Sequence, residues 1–306
     1  MEMAFVILKQ MLVMALYMAA GYILFKKGKL TLEGSRILAN LLVWLIVPAM
    51  LIRAFCVECT AEKLSMLGQS FILAAVAMIF TIGIASVFFR KNGVECFGVA
   101  FSNAGFIGVP LVTSALGDYA VFYICGMLVF VNCLQWGWGV PTIKGERISF
   151  SLRSLIANPF IIASIIGIFL FLTGLGTRLP GVVNTAIKGV ADLNAPLAML
   201  VLGVYLARTK LSELFTTKRL YLISVVRMWV IPVITMLLFC LFPIANEIRI
   251  AVLITAASPV GANVAVYAQM FDGDYPYACQ MVTCSTLLSI VMMPLFIALA
   301  TFVFGM

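Results

Sequence analysis

Two segments of the sequence combine Gly and Pro with neutral polar side chains inside apolar runs. The first runs from Asn103 to Pro110, with Ser102 directly before it, and the second runs from Ser258 to Asn263. Because Gly and Pro disfavour a continuous helix, each segment predicts a broken helix with unpaired backbone groups. Such groups are tolerated in a membrane only beside a cavity or inside protein, and a half-helix N-terminus attracts a carboxylate. The pair predicts an anion-binding site, with two kinked helices packed at small residues as the alternative.

The predicted substrate- or ion-binding residues come from these two segments and from two charged positions elsewhere. They are Ser102, Asn103, Gly105, Gly108, Pro110, Ser258, Pro259, Gly261, Asn263, Arg227 and Asp192. Hydroxyl and amide groups suit a ligand that brings its own negative charge, although each alone could instead make an interhelical hydrogen bond.

The two charged positions each have two interpretations. Arg227 lies within an apolar stretch, so it either extends its side chain to the membrane interface or pairs with a substrate carboxylate or the protein core. Asp192 is the only carboxylate expected deep in a span, and Lys188, four residues earlier, predicts an ion pair on one helix face. A coupling role for Asp192 with protons or a cation stays open.

Composition identifies the environment of these residues. Of 306 residues, 64% are hydrophobic and 10% are charged, whereas a soluble domain carries about a quarter charged residues. Long apolar runs predict an all-α integral membrane protein. Ten spans are predicted, at Met3–Phe25, Ser35–Phe55, Leu64–Phe89, Cys96–Leu116, Tyr119–Val140, Ser154–Gly174, Gly181–Ala207, Leu220–Phe242, Ile248–Met270 and Tyr277–Phe304.

The basic residues predict the orientation. Thirteen Lys and Arg residues lie in loops one, three, five and seven, against four in the even loops, namely Arg53, Lys63, Arg178 and Arg249. The positive-inside rule makes the odd loops cytoplasmic, so both termini lie outside a cell (plasma) membrane. This distribution also accounts for the net charge of +8 without a nucleic acid partner.

The two halves of the chain resemble each other. Separated by 156 positions, Ser102 matches Ser258, Gly105 matches Gly261, and Gly117–Tyr119 matches Gly273–Tyr275. Each half has five spans, an odd number, so the second must enter the membrane from the opposite side, as in inverted-repeat transporters. The predicted organisation is a first repeat at 1–140, a short cytoplasmic linker at 141–153 and a second repeat at 154–306.

Several of these motifs resemble a known family. The segment Asn103–Leu111, the spacing of Arg227 and Pro232, the segment Ser258–Asn263 and the pair Gly273-Asp274 are similar to the auxin efflux carrier family, in its bacterial malate-permease-like branch. The resemblance implies ten helices as a 5+5 inverted repeat, with broken helices four and nine crossing as in bile-acid symporter-like carriers. It further implies a panel of spans one, two, six and seven beside a core of the other six.

The resulting expectation is a secondary transporter, not an enzyme, for small organic anions such as malate-like dicarboxylates or auxin-like carboxylates. The chain contains no His, which excludes His-ligated zinc and Ser-His triads, and no cofactor is expected. H⁺ or Na⁺ is the expected coupling ion, lipid surrounds the protein, and a homodimer is expected by analogy alone. The alternative is a cation/proton antiporter on a similar scaffold, which would need carboxylates at the crossing.

Overall fold

The computed structural model describes residues 2–148 and 158–306, and this part of the chain is helical with no named strand. We number its helices in chain order. They are α1 Glu2–Lys26, α2 Leu32–Ala54, α3 Ala61–Phe88, α4 Gly93–Ala100, α5 Ala104–Leu116, α6 Asp118–Lys144, α7 Pro159–Thr173, α8 Gly181–Ala191, α9 Asn194–Arg208, α10 Leu211–Thr216, α11 Lys218–Phe239, α12 Asn246–Ala257, α13 Asn263–Met270 and α14 Tyr275–Phe304.

Seven helical stretches in the described residues are long and apolar enough to span a membrane, with α8 and α9 counted as one stretch. Their outer faces carry large, mostly exposed apolar side chains, such as Leu16 at 71% exposed and Phe302 at 83%. Such a surface is stable only in lipid. The chain is therefore a multi-pass helical membrane protein.

Helices α1 and α9 pack backbone against backbone. A Cβ atom added at Gly21 would lie 2.4 Å from the carbonyl oxygen of Leu200, and one at Gly203 would lie 2.2 Å from that of Met18. Since lipid supplies no hydrophobic force between helices, close approach at small residues is the main source of their association.

Four prolines share the same local backbone geometry. In each case the residue before the proline donates its N–H to the carbonyl five positions back, which forms a π-helical turn. The prolines are Pro48, Pro110, Pro141 and Pro232. Proline clashes with the carbonyl four residues back in an α-helix, and the wider turn relieves that clash. The break predicted within Asn103–Pro110 therefore lies at the start of that segment and not at Pro110, because α5 continues through Pro110 to Leu116.

Two differences between the predicted and the observed boundaries concern span seven and the linker. Span seven is interrupted after Ala191, where α8 ends and α9 begins at Asn194. The predicted linker 141–153 overlaps the end of α6 at Lys144. Its residues 149–153, like the predicted start of span six at Ser154, lie outside the described residues.

Candidate functional site

The backbone breaks in predicted spans four and nine contact each other. Residues 101–103 separate α4 from α5, and residues 258–262 separate α12 from α13. Ser102 and Val260 form an antiparallel bridge. The N–H of Asn103 donates to the Pro259 carbonyl at 2.8 Å, and the N–H of Gly261 donates to the Phe101 carbonyl at 3.0 Å. The extended backbone of each break thus pairs with the other, which we call the crossing.

Two glycines allow the close approach around the crossing. A Cβ atom at Gly261 would lie 3.1 Å from the carbonyl oxygens of Phe101 and Ser102. At Gly108 it would lie 3.0 Å from the Thr255 methyl group and 3.1 Å from the Ser258 hydroxyl. The structure therefore gives these two of the three predicted glycines a packing role, since a side chain at either would push the two broken helices apart, whereas a Cβ atom at Gly105 would meet nothing within 4 Å.

A small pocket that contains five uncharged polar side chains lies against the crossing. Its volume is about 30 Å³, enough for about one water molecule. Its polar side chains are Ser102, Asn103, Asn132, Gln135 and Asn263. The structure thus brings together three predicted polar residues, with the predicted Gly105 and Gly261 in the same lining, and it adds two polar residues that the sequence analysis missed. A polar pair at positions i and i+3 within the apolar run of α6 was the available signal.

Hydrogen bonding in this pocket is incomplete. The Asn263 side-chain amide donates to Gln135 Oε1 at 2.8 Å. The Ser102 hydroxyl and the Asn103 Nδ2 atom are buried and have no hydrogen-bond partner within the described chain. An unpaired buried polar group costs about 1–3 kcal/mol, so the pocket is arranged to receive a further polar group.

Arg227 lies under the crossing and is 1% exposed. Its guanidinium donates to the carbonyls of Ala256 at 2.5 Å, Val99 at 3.2 Å and Ser258 at 3.4 Å. These carbonyls lie at the C-terminal ends of α12 and α4. The interpretation that Arg227 extends to the interface is wrong, and of the two alternatives the structure shows pairing with the core. The negative ends of two helix dipoles, about half a charge each, face one positive charge.

A second, larger cleft of about 620 Å³ lies between α2, α8 and α9 on one side and α5 and the start of α6 on the other. Pro110 and Asp192 line it, so neither lies at the crossing. Lys188 Nζ is 2.6 Å from Asp192 Oδ2, which confirms the predicted ion pair. The Asp192 side chain is 53% exposed. Asn194 Nδ2 donates to the Gly105 carbonyl at 2.9 Å and so links the cleft to the first turn of α5.

Glu95, not Asp192, is the most deeply buried carboxylate in the described residues, so that prediction is corrected. The Glu95 side chain is 7% exposed and accepts hydrogen bonds from Arg219 Nε and Nη2 and from the Tyr277 hydroxyl. These contacts tie α4 to α11 and α14. The predicted boundary of span four at Cys96 had placed Glu95 in a loop, where its burial was not foreseen.

The profile of the family described as "Membrane transport protein" matches residues 6–147 and 146–297. An "Uncharacterized transporter" of Methanothermobacter thermautotrophicus is 24% identical over 289 residues, covering 90% of this chain and 92% of that protein. A protein of Rhizobium meliloti named "Putative malonate transporter" is 26% identical over 280 residues, covering 84% of each chain. Both carry the names of transporters rather than enzymes. The chain belongs to this family of membrane transport proteins, the auxin efflux carrier family.

Proposed function

We propose that the protein is a secondary transporter of small organic anions such as malate-like dicarboxylates or auxin-like carboxylates. One observation carries the proposal, namely two broken helices whose extended breaks pair inside the protein beside a pocket that contains uncharged polar side chains. Broken helices at this place in a membrane protein serve to expose backbone groups to a transported ligand. The relative from Rhizobium meliloti, named for malonate, supports a dicarboxylate among these anions.

The crossing supplies donors for a carboxylate. The amides of Ala104, Gly105 and Phe106, at the start of α5, donate to no group within residues 2–148 and 158–306. The unpaired Asn103 Nδ2 lies beside them in sequence. Backbone N–H groups at a helix N-terminus favour negative charge. The site residues in this proposal are Ser102, Asn103 and Asn263, with Arg227 as a residue that positions the crossing and does not touch the anion.

The pocket of about 30 Å³ is too small for a dicarboxylate, so the conformation described here is one in which the crossing is closed. We infer that transport opens it by moving a core of spans three to five and eight to ten against a panel of the other four. A 5+5 inverted repeat gives such a protein two related conformations, one open to each side. H⁺ or Na⁺ is the proposed coupling ion, and the panel is the proposed face of a homodimer.

The proposed location is the cell (plasma) membrane, with both termini outside. It is supported by the excess of basic residues in the odd-numbered loops. The alternative function, cation/proton exchange, needs a carboxylate where the ion binds. The residues that line the crossing pocket include no Asp or Glu, and this favours the anion carrier.

Uptake into proteoliposomes tests the function directly. Purified protein is reconstituted and offered radiolabelled malate, malonate and indole acetate under imposed proton and sodium gradients. The expected result is saturable uptake of a carboxylate that is lost when one of the two imposed gradients, proton or sodium, is dissipated. Sodium or potassium exchange for protons without carboxylate uptake would replace the proposal with the antiporter, and empty liposomes control for leakage.

A further inference from the structure

The cleft of about 620 Å³ holds charged side chains that take no part in positioning the crossing. Its volume lies within the range of small-molecule sites, about 300–1,000 Å³. We propose that this cleft is a first binding site for the transported anion and that Arg53, at the end of α2, receives a carboxylate there. The inference rests on the proposed function, because it names the residue with which an anion carrier first holds its substrate.

Arg53 has hydrogen-bonding capacity to spare. Its Nη2 atom donates to Asp118 Oδ2 at 2.8 Å, while its Nη1 atom is 3.7 Å from Asp192 Oδ1, too far for a hydrogen bond. A guanidinium has five N–H groups, and in the described part of the chain this is the only hydrogen bond found for Arg53. The side chain is 26% exposed and lines the cleft, so the other N–H groups are open to a ligand.

The neighbouring carboxylates do not prevent an anion from binding. Asp192 already has a closer cation, since Lys188 Nζ lies 2.6 Å from its other oxygen. An incoming carboxylate therefore replaces only the loose contact of 3.7 Å. Asp118 occupies one edge of the guanidinium, and the second edge is left for a ligand that accepts two parallel hydrogen bonds.

The rest of the cleft suits the remainder of a small polar anion. Gln10, Thr113 and Asn184 add uncharged polar groups from three different helices. Asn194 lines the same cleft and binds the Gly105 carbonyl at the start of α5, so the cleft adjoins the crossing. Because the pocket at the crossing holds about 30 Å³ and the cleft about 620 Å³, an anion can occupy the cleft while the crossing is closed.

Opposite effects of two substitutions test this role. Arg53→Gln should raise the KM for malonate or malate uptake about three- to tenfold. The lower part of this range corresponds to the loss of one partly exposed charge contact. Asp118→Asn should lower the KM or leave it unchanged, because it frees Arg53 and removes a repelling charge. Arg178→Gln is the matched control, since it removes an exposed arginine that does not line the cleft.

The outcomes separate this inference from the proposed function. If the wild-type protein takes up no carboxylate, the proposed function fails and the inference fails with it. If uptake is present and Arg53→Gln leaves the KM unchanged, or if both substitutions raise it equally, only the inference is overturned, because the ion pair is then merely structural. If Arg53→Gln does not fold, Arg53→Lys and Asp118→Asn provide the test of the site instead. A raised KM in Asp118→Asn then refutes the site.

Discussion

Replacement of Arg227 by Met should destabilise the protein strongly, although Met is apolar and lies in a membrane-spanning helix. The guanidinium of Arg227 supplies hydrogen bonds to carbonyls at the C-terminal ends of α4 and α12. In a continuous helix the Val99 carbonyl would accept from the N–H of Asn103, but that N–H donates to Pro259 instead. Arg227 therefore satisfies carbonyls that the break leaves without a helical partner.

The magnitude follows from the number of carbonyls left unpaired. Two of the three contacts are short enough to count fully, at 2.5 and 3.2 Å, and the third is marginal at 3.4 Å. Each buried acceptor without a partner costs about 1–3 kcal/mol, so the expected loss is about 2–6 kcal/mol. Removal of a buried charge offsets part of this loss, since the desolvation cost of the guanidinium disappears. At about 2 °C for each kcal/mol, the apparent Tm should fall by about 4–12 °C.

Thermal unfolding in detergent, followed by the loss of the monodisperse protein peak, measures this effect. Arg227→Lys should lie between Met and wild type, because an ammonium keeps the charge but cannot reach both helix ends with a planar fork. Arg178→Met provides the control, since Arg178 is exposed and its loss should change the Tm by less than about 1 °C. An Arg227→Met protein that melts within about 1 °C of wild type would refute the reasoning.

Three further predictions address orientation, the site and packing. Cysteine introduced at Lys27 in a cysteine-free background should react with an impermeant thiol reagent only from the cytoplasmic side, and labelling from outside alone would reverse the proposed orientation. Asn103→Ala or Asn263→Ala should reduce substrate affinity about five- to 150-fold at unchanged folded yield, measured by uptake, whereas wild-type transport in the double variant would exclude these amides from the site. Gly203→Ala should destabilise by about 1–3 kcal/mol because its Cβ would lie 2.2 Å from a backbone oxygen, while Gly68→Ala, with open space around it, should be neutral or stabilising in the same melting assay.

The sequence allowed the broken helices to be located but not the exact positions of the breaks. Counting Gly and Pro placed the disruption of span four across Asn103 to Pro110, whereas the chain leaves helical geometry at residues 101–103. The repeat was the better guide, because the separation of 156 positions pairs Ser102 with Ser258, and both lie in a break. Proline alone is ambiguous, since a π-helical turn lets the helix continue through Pro110.

The two pocket residues that sequence analysis missed come from α6, which has no break of the kind that separates α4 from α5 and α12 from α13. Asn132 and Gln135 lie in α6, and their side chains meet the crossing because α6 packs beside it. An isolated Asn or Gln in an apolar helix is as often an interhelical hydrogen bond as a site. The three-dimensional arrangement gives Gln135 both features, since it accepts an interhelical hydrogen bond from Asn263 at 2.8 Å and lines the pocket at the crossing.

Sequence spacing predicted the partner of a charged residue only where both residues lie on one helix. Spacing along one helix predicted the pair Lys188–Asp192, since residues four apart share a face. The partners of Arg227 and Glu95 lie on other helices and are far away in sequence, so no local pattern predicts them. Both residues are buried ions whose partners hold broken-helix segments in place. A buried ion that lost its partners would be costly in the membrane, so each fixes the position of α4 relative to its neighbours.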